Sequence, residues 1–394
     1  MEKPLFLLAS MFVCISLSHA QPADPDKSLY PNLPDPMITN AGQRVQDIST
    51  WENTRSDEIL KIFTEEVYGR SPQPGDYTTN FSVVSTTSIA NETAVRKMVQ
   101  ISVTGPNGTH TFQVPVYLPN KAEKVPVFIL INHRTPISGT SSTIGFFPLD
   151  SVILPRGYGA AVINDVDVAD DNPKYREGII DEFNMNGPND WKMISAWAFA
   201  ASRLIDYLET DPDVDVSRIA VIGHSRGGKA SLWTGVQDKR IALTCVNDAG
   251  CTGDRLMKGS WKWGETIEQI NGSFPHWFAT KYKDYKGQDK NLPFDFHQLV
   301  TLIAPRLIAQ GTASGDDWAD PVAQFHSLVF AQPVFALYGK TTTIWQTSDA
   351  PNKSKPIVMR NGNIQAHQRI GEHDLKEEDW NNYLDFADKQ RSIR

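Results

Sequence analysis

Val221-Ile222-Gly223-His224-Ser225-Arg226-Gly227-Gly228-Lys229 is the stretch whose reading decides the fold. The apolar run Ile219 to Ile222 predicts a buried strand, and Ala230, Leu232, Trp233 and Val236 then share one helical face, which puts Ser225 at the strand-to-helix corner. Gly223 and Gly227 take the two positions where a side chain would collide with a neighbouring strand or helix. A free serine hydroxyl is a poor nucleophile. The corner lifts it out of the sheet towards a histidine base and aims the Arg226 amide at a developing oxyanion. A glycine-rich turn without chemistry is the competing reading; the strand before the serine, the helix after it, and the acids and bases downstream favour catalysis.

Outward from this corner the chain alternates strands with helices. Phe81 to Leu118 reads as an antiparallel opening with a turn at Gly105-Pro106-Asn107-Gly108. Val125 to Ile131, Gly159 to Val166, Leu243 to Asn247 and Ala304 to Gly311 read as core strands, with a last short one near Ile364 to Ile370. Helices are predicted over Ile48 to Tyr68, capped by Ser49 or Thr50, over the amphipathic Asp190 to Leu208, and from about Glu377 to Lys389. The fold class is therefore α/β: an α/β-hydrolase fold, a three-layer αβα sandwich around a mostly parallel twisted sheet. Residues 21–394 are expected to form a single catalytic domain behind an extended, proline-rich lead-in running to Met37, either a wrap or a tail.

The first twenty residues have another purpose. Lys3, the apolar stretch Leu5 to Leu17 and Ser18-His19-Ala20 make a secretory signal peptide over 1–20, so the protein is expected to be secreted or periplasmic. Met11-Phe12-Val13 before Cys14 lacks the small residue of a lipoprotein site, and no later run approaches about 18 apolar residues, so no membrane association is expected after cleavage. The net charge of −8, without a basic run, argues against nucleic acid. Cys245 and Cys251 alone remain, either paired or as two buried thiols. Asn80, Asn91, Asn107, Asn271 and Asn352 fit the N-glycosylation pattern, which matters only in a eukaryotic secretory host. The acidic stretch Asp165 to Asp171 lacks the glycine and spacing of a calcium loop; it reads as a solvated loop, and neither metal nor cofactor is expected.

An α/β-hydrolase orders its triad serine, carboxylate, histidine, which places the base after the last strand. His373 fits. His367 lies inside that strand. His276, His297 and His326 come before it and read as structural histidines bonded to backbone, whereas His133 and His224 flank and shape the pocket. Two acids compete for the third role: Asp316, late and after a strand, and Asp248, after the strand that follows the nucleophile's helix.

Gly223 to Ala230, with Gly264-Glu265, Phe274-Pro275-His276-Trp277-Phe278, Ala304-Pro305-Arg306 and Asp316-Asp317-Trp318-Ala319-Asp320, resembles the bacterial branch of carbohydrate esterase family 15, the glucuronoyl esterases. Trp51 and Val67-Tyr68-Gly69-Arg70-Ser71-Pro72 resemble that family's opening helix, so the likeness spans almost the whole mature chain. It implies a secreted serine esterase acting on the carboxyl of 4-O-methyl-D-glucuronic acid, the link between glucuronoxylan and lignin alcohols, during lignocellulose degradation. By this likeness Lys229 and Glu265 hold sugar hydroxyls, Trp318 lies near the sugar, and Arg226 stabilises the oxyanion. Many family members carry Glu where this chain has Asp248, and others use an Asp matched by Asp316. Asp248 is one methylene shorter, so Asp316 is expected as the working acid with Asp248 in support. The partner is a carbohydrate substrate and the protein a monomer. Two rivals remain: an acetyl-xylan or other carbohydrate deacetylase on the same fold, and a non-catalytic carbohydrate-binding homologue.

Overall fold

The apolar runs that read as core strands do lie side by side. The computed structural model describes residues 25–391 apart from 26, 122, 140–142, 174–177, 260–262 and 342; the predicted signal segment and the first part of the lead-in fall outside them. Its strands are β1 (Thr78–Ile89), β2 (Ala94–Thr104), β3 (Thr109–Pro119), β4 (Val127–Asn132), β5 (Thr143–Ile144), β6 (Phe147–Pro148), β7 (Gly159–Asn164), β8 (Ala220–His224), β9 (Leu243–Asn247), β10 (Leu307–Ala313), β11 (Ile357–Asn361) and β12 (Ile364–Arg369). β5 and β6 form a small ribbon, and the other ten make one sheet in the order β1-β2-β3-β7-β4-β8-β9-β10-β12-β11.

The run from β7 to β12 is parallel, flanked by antiparallel β1 to β3 on one side and by antiparallel β11 on the other. Every residue of β4, β7, β8, β9 and β12 is buried, as both covered faces require. Alternate residues of β4 show the layering. Ile129 and Ile131 pack with Trp197, Leu204, Leu232 and Trp233 of the helices Met193–Leu208 and Arg226–Gln237. Phe128 and Leu130 face the other way, onto Trp380, Tyr383 and Leu384 of the C-terminal helix Glu377–Arg391.

Several boundaries differ from those expected, each for a local reason. The amphipathic helix begins at Met193 because Lys192 is extended and the Trp191 amide bonds Arg70 O; the free amides of Met193 and Ile194 then donate to the carbonyls of His276 and Trp277, each at 3.3 Å. The early helix is capped by Asp47, whose Oδ1 accepts from the Thr50 amide at 2.7 Å, not by Ser49 or Thr50. A π-helical stretch, Trp51–Arg55, interrupts it, and a second, Thr64–Tyr68, ends it before Gly69.

The lead-in wraps. Tyr30 and Leu33 are buried with Leu256 and Phe330, the Tyr30 hydroxyl bonds His326 Nδ1, and His297 Nε2 donates to Pro34 O at 2.8 Å. Cys245 and Cys251 are buried, unpaired thiols. Asn271 is buried with its amide donating to Ile267 O, so this sequon is closed in the folded chain, unlike the exposed Asn80, Asn91, Asn107 and Asn352. No helix among the described residues is long and apolar enough to cross a membrane.

Candidate active site

Ser225 sits one residue beyond β8 with φ 55° and ψ −120°, a conformation that a residue bearing a Cβ adopts only where its surroundings impose it. Those surroundings are tight. A Cβ on Gly223 would stand 2.0 Å from Gly227 O, and one on Gly227 would stand 2.6 Å from Ile131 O of β4. The Ser225 amide donates to Asn247 O at 2.9 Å, which ties the corner to the end of β9.

His373 lies on the loop after β12. Its Nδ1 is 2.5 Å from Asp316 Oδ2, so the ring N–H donates to that carboxylate. Asp316 follows β10, is buried, and takes the Ala319 amide on its other oxygen at 3.1 Å. Arg369 holds the histidine's loop: its Nη2 donates to Glu372 O at 2.8 Å and to Asp374 O, while its Nε donates to Asp379 Oδ2 at 2.9 Å. The His373 side chain is 41% exposed, so its far nitrogen can meet a substrate.

Asp248, at φ 44° beyond β9, is placed differently. Its Oδ1 accepts from the Ala313 amide at 2.9 Å, and its Oδ2 is enclosed with no hydrogen-bond partner, 3.9 Å from Arg369 Nη2. Burial first, then the charges of Asp316 and Asp379, push its carboxyl well above the usual carboxylate range. Asp248, Asp316 and His373 have ligand atoms within 4.8 Å of one another, and within this group His373 Nδ1 and Asp316 Oδ2 make the one hydrogen bond. The rings of His224 and His373 are 4.4 Å apart, and His133 stacks on His224 at 6.0 Å. Burial, reinforced by nearby cationic side chains, pushes His133 down to about 3 and lowers His224 well below the usual range, so both imidazoles stay neutral walls.

Beside the corner, Lys229 is buried with its Nζ donating to Ala249 O; burial lowers its pKa against the pull of Glu265. Burial raises Glu265 in turn, opposed by the Lys229 charge and a hydrogen bond from the Trp318 indole. Trp318 is 54% exposed, and its carbonyl accepts from the Glu265 amide at 3.0 Å. The structure thus gathers Lys229, Glu265 and Trp318, three residues the sequence spreads over ninety positions.

Two expectations are corrected. The stretch from Asp165 to Asp171 is not simply a solvated loop. Asp165 is buried, and burial pushes its carboxyl up to about 7. The Asp171 carboxylate bonds Arg226 Nη1 through Oδ2, and its Oδ1 takes His276 Nε2 at 2.7 Å and Trp277 Nε1 at 2.6 Å. His276 is therefore bonded to a side chain, not to backbone as His297 and His326 are. The Phe274-to-Trp277 segment carries part of the family likeness, but no local signal points to Asp171, since the contact spans 105 residues.

A serine at a strand-to-helix corner, on a mostly parallel sheet covered on both faces, makes this an α/β-hydrolase. A family model described as glucuronyl esterase, fungi, matches residues 101–339. The carbohydrate esterase MZ0003 of an unknown prokaryotic organism is 33% identical over 392 residues, covering 90% of this chain and 89% of the relative. A 4-O-methyl-glucuronoyl methylesterase of Phanerochaete carnosa is 29% identical over 315 residues, 78% of this chain and 72% of that one. Among solved structures, a glucuronoyl esterase from Solibacter usitatus matches with a TM-score of 0.80 at 32% identity, over 91% of this chain and 97% of that one. A promiscuous family 15 esterase from a marine bacterial metagenome matches at 0.77 and 32%, over 90% of this chain and 96% of that one. The chain belongs to carbohydrate esterase family 15, the glucuronoyl esterases, and is a carboxylic ester hydrolase.

Proposed function

We propose that this chain hydrolyses esters of 4-O-methyl-D-glucuronic acid, of the kind that join glucuronoxylan to lignin alcohols, through an acyl-enzyme on Ser225. Ser225 Oγ attacks the ester carbonyl while His373 Nε2 takes its proton and Asp316 stabilises the resulting imidazolium. The Arg226 amide and guanidinium meet the oxyanion. His373 then protonates the leaving alcohol, activates a water against the acyl-enzyme, and free glucuronate departs. Asp248 supports Asp316 from behind and is not the working acid.

The observation that carries the choice of substrate is the group Lys229, Glu265 and Trp318 beside the serine. A buried cation, a buried acid and a half-exposed indole suit the hydroxyls and carboxyl of a sugar acid on the acyl side; an acetyl group needs only a small apolar recess. The names of the bacterial and fungal relatives support the same reading. The protein acts outside the cytoplasm after removal of 1–20, as a monomeric single-domain enzyme.

The test is release of glucuronic acid from a benzyl glucuronate ester by the mature protein, beside Ser225→Ala and an acetylated xylan control. Activity on the glucuronate ester alone, lost in Ser225→Ala, is expected. Activity on acetyl groups alone would overturn the substrate, and inactivity on both would return the chain to a binding role.

A further inference from the structure

An arginine side chain is a long, flexible lever, and a charge that wanders by an ångström contributes little to a transition state. The Arg226 guanidinium is not free to wander. Its Cζ lies 4.7 Å from the centroid of the Trp277 ring and 5.2 Å from that of Phe274, and these two rings are themselves stacked at 3.8 Å and 5°. Nη1 is tied to Asp171 Oδ2, and Nε is enclosed without a partner. Nη2 makes no hydrogen bond among the described residues, which leaves it as the nitrogen able to serve the reaction.

The carboxylate that holds Nη1 is itself fixed. The His276 and Trp277 ring N–H groups both donate to Asp171 Oδ1, and the carbonyls of His276 and Trp277 accept from the first amides of the helix Met193–Leu208. The anchor is thus bolted to a sixteen-residue buried helix rather than to a loose loop. Burial opposes ionisation of Asp171, but the bonds from His276, Arg226 and Trp277 outweigh it and hold the carboxyl below its usual range.

We propose that Asp171 is a positioning residue for the hydrolysis: it orients the Arg226 guanidinium towards the oxyanion, with His276 and Trp277 fixing the carboxylate. This rests on the role given to Arg226 above. A carboxylate with one oxygen on Arg226 and the other on two ring N–H groups can neither rotate nor follow the guanidinium.

The experiment measures kcat and KM on the benzyl glucuronate ester for the full mature chain, Asp171→Asn, Arg226→Ala and the double variant. Asp171→Asn is expected to lower kcat by about 10- to 100-fold with KM changed by less than about 3-fold, and to add nothing once Arg226→Ala is present. Trp277→Phe keeps the ring under Arg226 and removes one donor from Asp171. It is expected to cost about 3- to 10-fold in kcat, again only while Arg226 is present, and serves if Asp171→Asn fails to fold. Arg226→Ala at the wild-type rate would overturn the Arg226 role and this inference with it. A slow Arg226→Ala beside Asp171→Asn or Trp277→Phe at the wild-type rate would overturn this inference alone, as would losses that multiply in the double variants.

Discussion

Replacing Asp316 by Asn should slow the enzyme far more than the same change at Asp248, although the two carboxylates are neighbours. The Asp316 oxygen is 2.5 Å from His373 Nδ1. With the charge centres about 4 Å apart and an effective dielectric constant near 20, the carboxylate stabilises the imidazolium by about 4 kcal/mol. Losing it costs about 10³ in kcat, and an amide that favours the wrong tautomer takes this towards ~10⁴. Asp248 gives a different sum. Burial, then the charges of Asp316 and Asp379, push its carboxyl up towards the neutral form; neither oxygen bonds His373, and an Asn in its place still accepts from the Ala313 amide. We expect Asp248→Asn to retain kcat within about 3-fold and to unfold at or slightly above the wild-type temperature, since a costly buried acid has gone. Steady-state rates on the benzyl glucuronate ester at pH 7, with a thermal melt of each variant, decide it. A fall of about 10³ in Asp248→Asn, with Asp316→Asn within tenfold of wild type, would show that the acid has been assigned backwards.

Two further outcomes follow from the packing and the buried acids. Gly223→Ala puts a methyl 2.0 Å from the Gly227 carbonyl, backbone against backbone, so it should cost more than about 4 kcal/mol or prevent folding; a melting temperature near wild type would refute the close crossing. Asp254 is buried, with one oxygen taking Gln310 Nε2 at 2.6 Å and the other enclosed without a partner; burial pushes its pKa from 3.8 up to about 7. A raised carboxyl binds its proton more tightly when folded, so its contribution is whole below about pH 4 and is lost as pH rises to about 7, by about 4 kcal/mol. Asp254→Asn should therefore lose less stability than wild type between pH 4.5 and pH 8 in urea titrations, and an identical slope for both proteins would count against a protonated Asp254.

The central sheet and the serine corner were legible because their signals are local. Ile219 to Val236 carries strand, turn and helix within eighteen residues, and the glycines are explained by contacts with their own turn and the next strand. The contact between His373 and Asp316 joins two positions that chain order offers for a base and an acid, but chain order alone left Asp248 equally open. Asp171 was not legible. It stands in a run of acids that reads as solvated, and only the fold brings it to Arg226, His276 and Trp277. The lead-in left a wrap and a tail equally open because prolines remove periodicity, while the burial of Tyr30 depends on partners far along the chain. Asn271 shows the converse: its tripeptide fits a modification signal, yet helical phase turns it inward.

The wrap of the lead-in has a consequence for the order in which the chain completes itself. Tyr30 meets His326, a partner 296 residues away, and Pro34 meets His297. A ribosome delivers the chain from its N-terminus, so this earliest segment must wait, with an apolar tyrosine and leucine uncovered, until the last quarter has emerged and the helix Pro321–Leu337 has formed. Closure of the molecule is then a late, long-range event, slow by its topology, and the lead-in is the part of the unfinished chain most exposed to capture by chaperones, proteases or other copies.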